Sequence, residues 1–69
     1  MTWYHLVDET GTHYVIPASV SPVSYFRSQA VDGSQPIYMY LVNGLVFTIT
    51  PALFASIVGA VPAAVQVTV

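Results

Sequence analysis

Six side chains hold most of what this sequence offers for acid-base, metal or anion chemistry near neutral pH: His5, Asp8, Glu9, His13, Arg27 and Asp32. The histidines flank Asp8-Glu9-Thr10-Gly11, in which Asp suits the first position of a type I turn and Gly11 the left-handed position of a G1 bulge. If Asp8 pairs with Thr12, then Val7 faces His13 and His5 faces Val15, so the two imidazoles lie diagonally on one strand face. A slip of one residue would place them on opposite faces. Two imidazoles are half of a zinc site, which takes three or four protein ligands, and no cysteine or third histidine supplies the rest. Asp8 and Glu9 reach such a site poorly from the turn. The histidines are therefore expected to be structural surface residues, with no metal and no cofactor bound.

Catalysis finds no better support. No serine or threonine sits in a glycine-rich elbow or a triad pattern, and Asp8 and Asp32 stand near glycines, where turn geometry alone accounts for them. There is no phosphate loop, cysteine pair or EF-hand pattern. The chain is read as a non-enzyme with no small-molecule substrate.

Arg27 is the sole Lys or Arg. It falls within a strand, where it could pair with Asp32, meet Asp8 or Glu9 of another subunit, or face solvent. Trp3, Tyr4, Tyr14, Tyr25, Phe26, Tyr38 and Tyr40 would suit a base-stacking platform, but a single cation cannot hold a phosphate backbone, which excludes nucleic acid as the partner. Aromatic rings and arginine are also enriched at protein interfaces. The expected interface residues are Trp3, Tyr25, Arg27, Tyr38, Tyr40, Val65, Val67 and Val69.

The elements that position these residues follow from periodicity and punctuation. Trp3 to Val7 and Thr12 to Ile16 form the first hairpin, with Tyr4, Leu6, Tyr14 and Ile16 giving the more core-like face. Pro17 ends it. A third strand alternates over 23–31, and Asp32-Gly33-Ser34-Gln35-Pro36 supplies a turn. Asn43-Gly44 predicts a two-residue hairpin loop joining Ile37 to Val42 with Leu45 to Thr50, which pairs Tyr40 with Phe47 and Tyr38 with Ile49. Thr50 as N-cap, Pro51 at the first helical position and Gly59 as stop predict a helix over about 51–58, with Ile49 stapled against Phe54. Residues 64–69 alternate as a final edge strand or arm. The fold class is mainly β with one short helix (α+β): a small antiparallel sheet of two hairpins plus an intervening strand, in a single domain spanning 1–69.

Four charged residues in 69 make 6%, against about 25% in average soluble composition. With 55% hydrophobic residues and no cysteine, so short a chain cannot bury its apolar surface alone and has no disulfide to help. Phe47→Asp is expected to abolish folding and Val67→Asp mainly to weaken association. The expected role is a structural subunit of a larger repetitive assembly whose partners are copies of itself or a larger structural protein. Its most concrete form is a minor virus or phage virion protein of the capsid-stabilising or decoration type, located in the assembled particle. No secretory signal is expected, because the first residues carry no basic n-region. Two alternatives stand beside this: a membrane accessory subunit with a single span near 41–61, and a peptide-binding module that works by strand addition.

Overall fold

A computed structural model describes residues 2–67. In chain order its elements are β1 (Trp3–Val7), β2 (His13–Pro17), β3 (Val23–Ser28), β4 (Ile37–Leu41), β5 (Val46–Ile49), α1 (Pro51–Val58) and β6 (Val65–Gln66). The six strands form one sheet in the order β5-β4-β3-β2-β1-β6. The mainly-β expectation with one short helix holds, with one change: β6 runs parallel to β1, Leu6 against Val65 and Val7 against Gln66, so the sheet is mixed rather than purely antiparallel.

The first hairpin forms as its turn chemistry dictates. His5 pairs with Val15 and Val7 with His13. Gly11 donates its N–H to the Asp8 carbonyl and Asp8 to that of Thr12, both at 3.1 Å, with Gly11 at φ +84°. The second hairpin uses the same three-residue device, not the expected two-residue loop. Leu41 N–H donates to the Leu45 carbonyl at 2.9 Å and Gly44 N–H to Leu41 at 3.0 Å. Gly44 has φ +92°, and no non-glycine residue in the described chain has positive φ. Asn43 instead accepts from Leu45 N–H through Oδ1 at 3.1 Å, a local bond that leaves its own backbone in the ordinary region. Pairing therefore shifts by one: Ile37 meets Ile49, Tyr38 meets Thr48, Met39 meets Phe47 and Tyr40 meets Val46. A one-residue shift turns a strand over, and this register sets Ile49 on the helix-covered face and polar Thr48 on the other.

Among the described residues, only one face of the sheet is covered. Thr50 Oγ1 accepts from Leu53 N–H at 3.1 Å, Pro51 occupies the first turn and Gly59 caps the end, as expected. The helix turns Phe54 and Val58, one turn apart, onto Trp3, Val15, Phe26 and Ile37. Phe54 stands edge-on to Phe26 with ring centroids 5.0 Å apart, and Trp3 lies tilted against Phe26 at 5.6 Å. Ile49 and Val61 pack at the margin.

The structure changes several sequence-based expectations. The buried face is that of Trp3, His5 and Val15, while Tyr4, Leu6, Tyr14 and Ile16 lie on the open one. Trp3 is 7% exposed and packs within the chain, which leaves it almost no surface for a partner. Phe47 is 46% exposed and lies on an outer strand rather than at the centre of the sheet, so Phe47→Asp is expected to cost less than the whole fold. The third strand also stops at Ser28 rather than residue 31, where the Ser28 hydroxyl lies 2.6 and 2.8 Å from the carbonyl oxygens of Ala30 and Pro36, either of which can accept its one hydrogen, and so gathers the ends of the following loop. Among the described residues no helix is long and apolar enough to cross a membrane, and the window 41–61 is divided between turn, strand and the eight-residue helix.

Candidate functional site: the open tyrosine face

Alternation along each strand and the pairing register place Tyr4, Leu6, Tyr14, Ile16, Tyr25, Arg27, Tyr38, Tyr40, Val46 and Thr48 together on the uncovered face. None of them is buried. Arg27 is set between Tyr14 on β2 and Tyr38 on β4 by direct pairing, and Tyr25 is set against Tyr40. The Tyr25 and Tyr40 rings stack at 4.4 Å and 13° between planes, Tyr14 stands 6.1 Å from Tyr25, and the Arg27 guanidinium lies 5.5 and 5.4 Å from the Tyr38 and Tyr40 ring centres. These contacts hold the guanidinium by cation–π attraction and leave its five N–H donors directed elsewhere.

Four of the residues expected at an interface, Tyr25, Arg27, Tyr38 and Tyr40, are thus brought together. Val65 and Val67 are exposed at the far edge, beyond β1, and Val69 lies outside the described residues. Sequence reasoning missed Tyr4 and Tyr14 as members of this face, having assigned them to the core. Of the three placements the sequence left open for Arg27, pairing with Asp32 is not formed: Arg27 is exposed and makes no hydrogen bond or ion pair among the described residues, and Asp32 accepts from Ser34 N–H at 2.9 Å. Beside Arg27 is a hollow of about 420 Å³ whose lining includes Thr12, Tyr14, Gln29, Gln35 and Tyr38.

At the end of the same face, Asp8 organises the turn. Its Oδ1 accepts from the Thr10 hydroxyl at 2.6 Å and from the Thr10 and Thr12 N–H groups at 3.0 Å each, and Oδ2 accepts from the Tyr14 hydroxyl at 3.4 Å. The Thr10 hydroxyl, ahead of the backbone donors and Tyr14, holds this carboxyl below its ordinary value of 3.8, against a smaller opposing effect of desolvation. A depressed folded-state pKa stabilises the fold above the unfolded-state value, and that contribution is lost as pH falls through the folded-state value. Asp8→Asn should therefore lower the melting temperature at neutral pH, and the difference from wild type should shrink in acid, as the pH falls below 3.8 through the lower folded-state value. Thermal melts at both pH values check this, and an undiminished difference in acid would contradict it.

The histidines do not form a metal pair. His5, only 6% exposed, is buried rather than on the surface. Its Nδ1 lies 2.9 Å from the Pro62 carbonyl and its Nε2 2.8 Å from His13 Nδ1. A carbonyl only accepts, so His5 Nδ1 carries a hydrogen, and the two facing nitrogens share a second. The nitrogens a metal would need are engaged with each other. No group of three or more His, Cys, Asp or Glu side chains suited to a metal exists among the described residues.

A further open surface is the outer edge of β5. Because Leu41 bonds to Leu45, alternation directs the Phe47 and Ile49 backbone groups toward β4 and those of Val46 and Thr48 away from the sheet. No charge or proline interrupts this strand.

Comparison with protein-family models, curated proteins and solved structures finds no match to this chain.

Proposed function

We propose that this protein is a non-enzymatic structural subunit that completes its burial by associating with further copies of itself or with a larger structural protein. A minor virion subunit of the capsid-stabilising or decorating kind is the narrowest form of this proposal. The observation that carries the association is the uncovered sheet face, on which tyrosines and aliphatic side chains surround one arginine. Tyrosine and arginine are residues that contribute strongly at interface centres, where a ring contributes area and a polar tip finds a partner. The near-absence of other charge agrees, since charges in a contact core must be desolvated.

Light scattering across a dilution series tests it. Wild type should exceed the 7.4 kDa chain mass, and Tyr25→Asp should return it to that mass with an unchanged circular dichroism spectrum. A wild-type species dispersed at the chain mass at every concentration would refute the proposal.

A second reading rests on the β5 edge, where the outward backbone groups of Val46 and Thr48 could receive an extended peptide by strand addition. That reading expects a monomer when purified and association insensitive to Tyr25→Asp.

A further inference from the structure

Among the described residues, the chain has one cation without an acidic partner and, of its three carboxylates, one whose side chain accepts no hydrogen bond. Arg27 lies exposed across Tyr38 and Tyr40 with no acidic partner. Of the three carboxylates, Asp8 accepts four hydrogen bonds within its own turn and Asp32 accepts from Ser34. Glu9 remains, exposed at the tip of the first hairpin with no side-chain hydrogen bond among the described residues. The two lie toward the same end of the sheet. Thr12 and Tyr14, the base of the Glu9 hairpin, line the hollow beside Arg27, and the Tyr14 hydroxyl reaches Asp8, the neighbour of Glu9.

Covering the tyrosine face would strip water from Arg27. An unpaired guanidinium so buried is strongly destabilising, so whatever covers the face must bring an anionic group to it. The planar fork of arginine and the polar hollow beside it suit a carboxylate. We infer that the occupant is a second copy of this chain, placed face to face about a two-fold axis, with Glu9 of each copy entering the hollow to pair with Arg27 of the other. Two-fold symmetry turns one Glu9–Arg27 match into two, while Asp8 and Asp32 keep the hydrogen bonds of their own turns. An unrelated acidic partner would satisfy Arg27 and leave Glu9 idle. The inference rests on the association proposed above and names its partner and its pairing.

Charge reversal by mixing tests the pairing directly. Arg27→Glu alone sets two carboxylates against each other at both contacts, and Glu9→Arg alone sets two guanidinium groups against each other, so each variant should dimerise at least about tenfold more weakly than wild type. An equimolar mixture lets the two variants form a heterodimer in which the like-charge contacts are replaced by one pair of the original charges and one with the charges exchanged, and it should recover wild-type association. The neutral variants Arg27→Gln and Glu9→Gln should weaken the dimer, and they serve if a reversal variant fails to fold by circular dichroism. Light scattering reads the mass in every case. Folded reversal variants that associate like wild type, or a mixture that does not recover, would overturn the pairing while leaving association intact. A monomeric wild type would remove both.

Discussion

Phe26→Ala should cost about 3–5 kcal/mol, the range for removing a large aromatic side chain from a packed interior. A chain of 69 residues has roughly 3–10 kcal/mol of total stability at typical per-residue values, so a large share of the variant should be unfolded at room temperature. The position explains the size. Phe26 is 1% exposed and pairs with Val15 on one side and Met39 on the other. Its ring touches both Trp3 and Phe54. It is therefore where strands β1 to β4 and the helix meet, and neighbours drawn from so many elements cannot all close on the space it leaves. Urea denaturation followed by circular dichroism measures the loss. A cost below about 1.5 kcal/mol would mean that the helix follows the sheet inward and that the interior is less tightly fixed than this geometry implies.

Phe26 also shows where the sequence was informative and where it was not. Local chemistry was legible. Asp8 and Gly11 announce their turn, and Thr50, Pro51 and Gly59 mark both ends of the helix at the residues where it begins and stops. What local chemistry does not report is which face the helix will cover. In β1 and β2, Tyr4, Leu6, Tyr14 and Ile16 look at least as apolar as Trp3, His5, Val7, His13 and Val15, and the choice is made by residues 50 and beyond, where α1 crosses back over the sheet. Asn43-Gly44 was ambiguous in the same way. It supports a two-residue loop or a three-residue one, and the longer loop prevails because it brings Ile49, rather than Thr48, to the face on which Ile37 is buried.

The parallel pairing of β6 with β1 had no local signal at all, since it depends on the path of the segment after the helix. The candidate site was half legible for a related reason. Composition singles out Arg27, Tyr25, Tyr38 and Tyr40, but their contact requires the pairing of β3 with β4. The burial of His5 was missed although a hint existed, as it alternates with Trp3 and Val7.

His5→Leu should cost about 1–3 kcal/mol, as expected when a buried hydrogen-bonded group is replaced and its partner is left unsatisfied, and it should release β6 while the rest of the sheet persists. Proline has no N–H, so the carbonyl is the only hydrogen-bonding group of Pro62, and the His5 contact at 2.9 Å is the side-chain hydrogen bond that ties 60–64 to the sheet among the described residues. Beyond it, β6 is held by two residues of parallel pairing, by Val67 N–H on the Val7 carbonyl at 2.8 Å and by the Gln66 side chain on the Asp8 carbonyl at 3.1 Å. Bonds so few at a sheet edge should open locally once the preceding tether is gone. Hydrogen exchange separates this from a general loss of stability: the Val67 amide should lose protection by more than the amides of β2 and β3. His13→Leu is the control. It removes the 2.8 Å contact with His5 Nε2 and leaves the Pro62 bond in place, so it should lower stability with Val67 protection falling only in step with the sheet. Equal loss at Val67 in both variants would show that Val61 packing, rather than the histidine tether, positions the last strand.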